Sequence, residues 1–88
     1  MKLTYVIEPE NPVTSPEEFA DELVLWTQKE GKELDILSVK DYPQVQCIVD
    51  GKSYLAKLEP PRPNLINLPS ATYSMGFKFI YLYDTTKE

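Results

Sequence analysis

Eighty-eight residues suffice for one small domain, and a hydrophobic share of 42% suits a packed core rather than wholesale disorder. Fourteen acidic against nine basic residues leave a formal net charge of −5, which does not point to nucleic acid or to an anionic membrane surface. There is no histidine, and the single cysteine, Cys47, excludes an internal disulfide or a cysteine-based zinc site.

Residues 2 to 8 alternate as a first strand, with Leu3, Tyr5 and Ile7 on one side, and stop at Glu8-Pro9-Glu10-Asn11-Pro12. This opening is not expected to act as a secretory signal, because its apolar stretch ends at Glu8 and no small-residue cleavage site follows. No window approaches the roughly 18 consecutive apolar residues of a membrane span. With one unpaired thiol, the expectation is a cytoplasmic protein.

Ser15-Pro16-Glu17-Glu18 is a helix start. Ser15 is the N-cap, Pro16 takes the first helical position, and Glu18 completes a capping box. Both carboxylates face the positive end of the helix dipole. The helix runs to about Glu30, with Gly31 as its left-handed terminator. Phe19, Leu23 and Trp26 form an apolar stripe, widened by Ala20, Val24 and Thr27, while Asp21, Glu22, Gln28 and Lys29 take the wet side.

After Gly31 the period becomes two. Leu34 to Val39 reads as a strand closed by Asp41-Tyr42-Pro43. Gln44 to Val49 and Lys52 to Glu59 flank Asp50-Gly51, a pair favoured in two-residue type I′ hairpins. That turn sets Cys47 opposite Tyr54, Val45 opposite Ala56, Gln46 opposite Leu55 and Gln44 opposite Lys57. One face then carries Val45, Cys47, Val49, Tyr54, Ala56 and Leu58, and the other is mixed. Residues 60 to 75 are too rich in proline for a central strand or helix interior. A last strand spans Gly76 to Tyr83, with Phe77, Phe79, Tyr81 and Tyr83 expected to face the helix and Ile80 and Leu82 to face away, beside Ile48 and Leu55. The tail from Asp84 to Glu88 is expected to fray.

The whole predicts a single α+β domain over residues 1–88. It has two layers, one helix packed on a mainly antiparallel sheet of about five strands, in the order β-α-β-β-β with the long loop before a final strand.

No catalytic constellation emerges. Cys47 lies on the apolar hairpin face with no histidine to activate it, which reads as inert packing. Glycines are three and scattered, without a phosphate loop. Glu17 with Asp21 and Glu18 with Glu22 sit at i, i+4, but a dedicated cation site needs more oxygen ligands, so these read as a solvated acidic face. The chain is expected to be no enzyme and to need no cofactor or metal.

Charge is uneven. From Glu8 to Asp41 ten acids oppose three lysines, whereas the remainder carries four acids and six bases. Lys52, Lys57, Arg62 and Lys78 with Tyr54, Tyr73 and Tyr81 sketch a stacking platform for a small ligand or single-stranded nucleic acid. The binding candidates are Tyr54, Lys57, Arg62 and Tyr73, around the hairpin and loop. Within the loop, Pro60-Pro61-Arg62-Pro63 carries a Pro-x-x-Pro pattern, while Leu65, Ile66 and Leu68 are expected to fold back over the second face of the sheet.

Three runs resemble a small bacterial family without an assigned activity: Ser15-Pro16-Glu17-Glu18-Phe19, Gly31-Lys32-Glu33-Leu34-Asp35, and Val49-Asp50-Gly51-Lys52-Ser53-Tyr54-Leu55-Ala56. The resemblance covers residues 15 to 58 and implies a bacterial, cytoplasmic, single-domain protein. The stretch from Pro60 to Met75 is longer than in that family. The function expected is a small non-enzymatic interaction module for a partner protein or a second copy of itself. A small-ligand or nucleic-acid binder is the alternative.

Overall fold

A computed structural model describes residues 1–60 and 78–85. Its elements are β1 (Lys2–Ile7), α1 (Pro16–Glu30), β2 (Leu34–Ser38), β3 (Gln44–Val49), β4 (Lys52–Glu59) and β5 (Phe79–Asp84). The order is β-α-β-β-β-β, the first β-α-β-β-β being followed by the last strand. All five strands form one antiparallel sheet, arranged β1-β5-β4-β3-β2. β1 and β2 are therefore its edges, and α1 lies in the connection that carries the chain from one edge to the other. Both edge strands carry a bulge, between Leu3 and Tyr5 and between Ile36 and Ser38. Such bulges discourage edge-to-edge pairing.

The β3–β4 hairpin has the register that its turn chemistry requires. Cys47 pairs with Tyr54, Val45 with Ala56, Gln46 with Leu55 and Gln44 with Lys57. Asp50 and Gly51 take φ of 50° and 82°, the left-handed pair of a type I′ turn. The face carrying Val45, Cys47, Val49, Tyr54, Ala56 and Leu58 is buried throughout. Phe19 and Leu23 of α1 join it in one core with Ile7, Ile80 and Leu82. Each of these two helix side chains is wholly buried and contributes about 2 kcal/mol.

β5 is turned over relative to expectation. Leu82 pairs with Ala56 and Ile80 with Leu58, which puts Ile80 and Leu82 on the core face. Phe79, Tyr81 and Tyr83 share the second face with Ile48 and Leu55 instead. Both sides of this strand are apolar, so alternation alone does not choose between them; pairing with β4 does. On the second face the Tyr81 hydroxyl donates to the Pro60 carbonyl at 3.0 Å. β5 also extends to Asp84, which pairs with Lys2 and Tyr54 rather than fraying. The loop expectation for Leu65, Ile66 and Leu68, and the placement of Phe77, fall outside the described residues.

The helix starts and stops as its caps dictate. Ser15 Oγ accepts the Glu18 amide at 3.1 Å. The return half of the capping box is displaced by one residue: Glu18 Oε1 accepts the amide and the hydroxyl of Thr14, at 2.7 and 2.6 Å. At the other end Gly31 has φ 68°, with the Lys32 amide bonded to the Thr27 carbonyl and the Gly31 amide to Gln28. This is a Schellman closure. Among the described residues no helix is long and apolar enough to cross a membrane.

Candidate functional site

The helix stripe is rotated from its sequence reading. Glu22, placed on the wet side by pattern, is 5% exposed, whereas Val24, placed in the stripe, is 39% exposed. The two residues lie on opposite flanks of the Phe19–Leu23–Thr27 line, and the connection leading into α1 bonds to Glu22 while Val24 stays exposed. There the Glu22 carboxylate accepts the Glu10 amide at 2.9 Å and the Asn11 amide at 3.2 Å. Charge-assisted bonds of this kind compensate its removal from water. Glu18 ties down Thr14 in the same way, and Lys29 pairs with Glu10.

Pinned at these points, the connection stands beside the helix as a wall. Between them opens a groove of about 500 Å³, lined by Asn11, Pro12, Glu18, Asp21, Glu22, Val24 and Leu25. Pro12, Val24 and Leu25 supply apolar surface; Glu18 and Asp21 supply charge. Glu17, one turn before Asp21, adds a third exposed carboxylate nearby. The ion pairs among the described residues join Lys29 to Glu10, Lys32 to Asp50 and Lys52 to Asp84. None of them neutralises Glu17, Glu18 or Asp21. Hydrogen bonds from Thr14 hold the Glu18 carboxyl below its ordinary value. Glu18 and Glu22 direct their carboxylates to different backbone amides, and among the described residues no group of three metal-ligating side chains comes together.

Of the binding residues read from sequence, Tyr54 and Lys57 stand on opposite faces of β4. Tyr54 is buried on the core face, its ring 5.8 Å from that of Tyr5, which in turn meets Trp26 edge-on at 5.0 Å. Burial, with Tyr5 beside it, pushes the Tyr54 phenol above its usual range. Lys57 points to the second face, where its ammonium lies 5.3 Å from the centre of the Tyr83 ring. Arg62 and Tyr73 lie outside the described residues. Cys47 is wholly buried, and that burial pushes its thiol up to about 11.

Sequence reasoning missed the groove because Val24 looks like a stripe residue and Glu22 like a solvated charge, and the pattern assigns Leu25 to neither side. Pro12, which interrupts the acidic run before the helix, was the available signal. No family model, curated protein or solved structure matches the chain.

Proposed function

We propose that this chain is a small non-enzymatic protein-interaction module, a two-layer α+β domain that takes its partner in the groove between α1 and residues 11–12. One observation carries the reading: Val24 stands 39% exposed within a concave surface whose rim carboxylates, among the described residues, have no ion-pair partner. Concave apolar surface of this kind on a small domain is characteristic of contact sites. The groove offers no nucleophile, and Cys47 is buried on the core face of the sheet. The alternative, a small-ligand or nucleic-acid platform, is disfavoured because Tyr54 and Lys57 point to opposite faces of β4. The resemblance to a small bacterial family over residues 15 to 58 fits a compact module without adding an activity.

Site-specific photocrosslinking in cells that express the protein tests the reading. A photoreactive side chain at position 24 is expected to give a discrete protein adduct, reduced by Asp21→Lys. The same group at position 44, exposed on the second face, is expected not to give it. Identical adducts from both positions, or none from position 24, would overturn the proposal.

A further inference from the structure

We infer that the groove beside α1 takes a short basic segment of a partner protein, an apolar residue flanked by lysine or arginine. The inference rests on the groove being the interaction site and adds the chemistry of what enters it. From Glu18 to Leu25 the helix rises about 10 Å, which three or four extended residues span. Pro12, Val24 and Leu25 form the apolar part of that length, and Glu18 and Asp21 stand beside it.

The charge is one-sided. Between Glu8 and Glu30 the chain holds seven acids and one base, Lys29, which is already engaged by Glu10. Glu22 gives both carboxylate oxygens to backbone amides and Glu18 gives one to Thr14, so recognition falls on Asp21, the neighbouring Glu17 and the other oxygen of Glu18. An acidic or neutral segment lying on Val24 would take water from these carboxylates and return no charge, which selects against it. A lysine or arginine has the matching shape as well as the sign, because its methylene stem lies along apolar surface while its head stays at the rim. A second copy of this chain is the poorer match. Of the lysines away from the helix, Lys52 pairs with Asp84 and Lys57 lies over Tyr83, and the exposed Lys2, Lys40 and Lys78 belong to a chain whose net charge of −5 opposes docking on an acidic groove.

Three labelled peptides, alternating leucine with lysine, glutamate or serine, separate the outcomes by fluorescence anisotropy against the full chain. The lysine–leucine peptide is expected to bind at least tenfold more tightly than the other two and to weaken as salt is raised. Val24→Asp and Asp21→Asn, checked for unchanged circular dichroism and thermal midpoint, are each expected to weaken it several-fold. A lysine–glycine peptide that binds equally well would reduce the effect to bulk charge and overturn the inference. Equal binding of all three leucine peptides, lost in Val24→Asp, would overturn the basic partner while leaving the groove as an interaction site. Binding insensitive to both substitutions, or absent, would overturn the inference; the crosslinking at position 24 judges the broader reading separately. Concentration-dependent sedimentation at low salt, abolished by Asp21→Asn, would assign the groove to a second copy and likewise overturn it.

Discussion

Glu33 and Asp50 hold each other through two hydrogen bonds. The Asp50 amide donates to the Glu33 carbonyl at 3.0 Å, and the Glu33 amide donates to Asp50 Oδ1 at 2.8 Å. The tip of the β3–β4 hairpin is thereby fastened to the link between α1 and β2, with Lys32 3.8 Å from the other carboxylate oxygen. Asp50 does this from a left-handed backbone conformation, φ 50°. Asp50→Ala removes the acceptor and adds backbone strain, and a loss of roughly 1–2 kcal/mol is expected in urea unfolding. Asp50→Asn keeps both the acceptor and the tolerance for positive φ, so it is expected to retain most of that stability.

Ser15→Ala strands the Glu18 amide and is expected to cost about 1 kcal/mol. The same turn gives the fold a pH dependence. Thr14 lowers the Glu18 pKa in the folded state, so this contribution is complete above the ordinary value of 4.5 and is lost as pH falls through the folded value beneath it. Urea midpoints measured from neutral pH down to pH 3 are expected to fall less steeply in Glu18→Gln than in the wild type below pH 4.5.

Glu22→Ala removes the shared acceptor of the Glu10 and Asn11 amides from a buried position. About 2–3 kcal/mol of stability is expected to go with it. Hydrogen exchange at these two amides is expected to accelerate, and unchanged protection there would contradict the pinning role assigned to Glu22.

Cys47 is wholly buried, with its thiol pushed up to about 11. A thiol reagent at neutral pH is expected to label it slowly in the native protein and rapidly in denaturant. Rapid native labelling would mean that the core face of the hairpin opens readily.

What the sequence discloses here depends on whether a feature is local. The hairpin from Gln44 to Glu59 was legible to the residue pair, because Asp50-Gly51 sets the turn and strict alternation on both sides agrees with it. The helix caps were legible for the same reason, down to Gly31. The orientation of β5 was not, since Phe79 and Tyr81 are as apolar as Ile80 and Leu82 and the choice belongs to the pairing with β4. Glu22 escaped because a buried carboxylate needs amide partners eleven and twelve residues away, which no helical period reveals. The groove depends on that pinning and was hidden with it.

The interior position of β5, between β1 and β4, bears on how the polypeptide is made. β1 has β5 as its strand neighbour, so the earlier of the two is synthesised long before the surface that completes it. Until Phe79 to Asp84 leave the ribosome, Ile7 and Tyr5 lack the Ile80 and Leu82 they lie across from. Such sequence-distant pairing carries a loop-closure cost that delays folding. A nascent chain stalled after Pro60 is therefore expected to remain protease-sensitive from its first strand onward, and to acquire resistance only once Asp84 has left the ribosome.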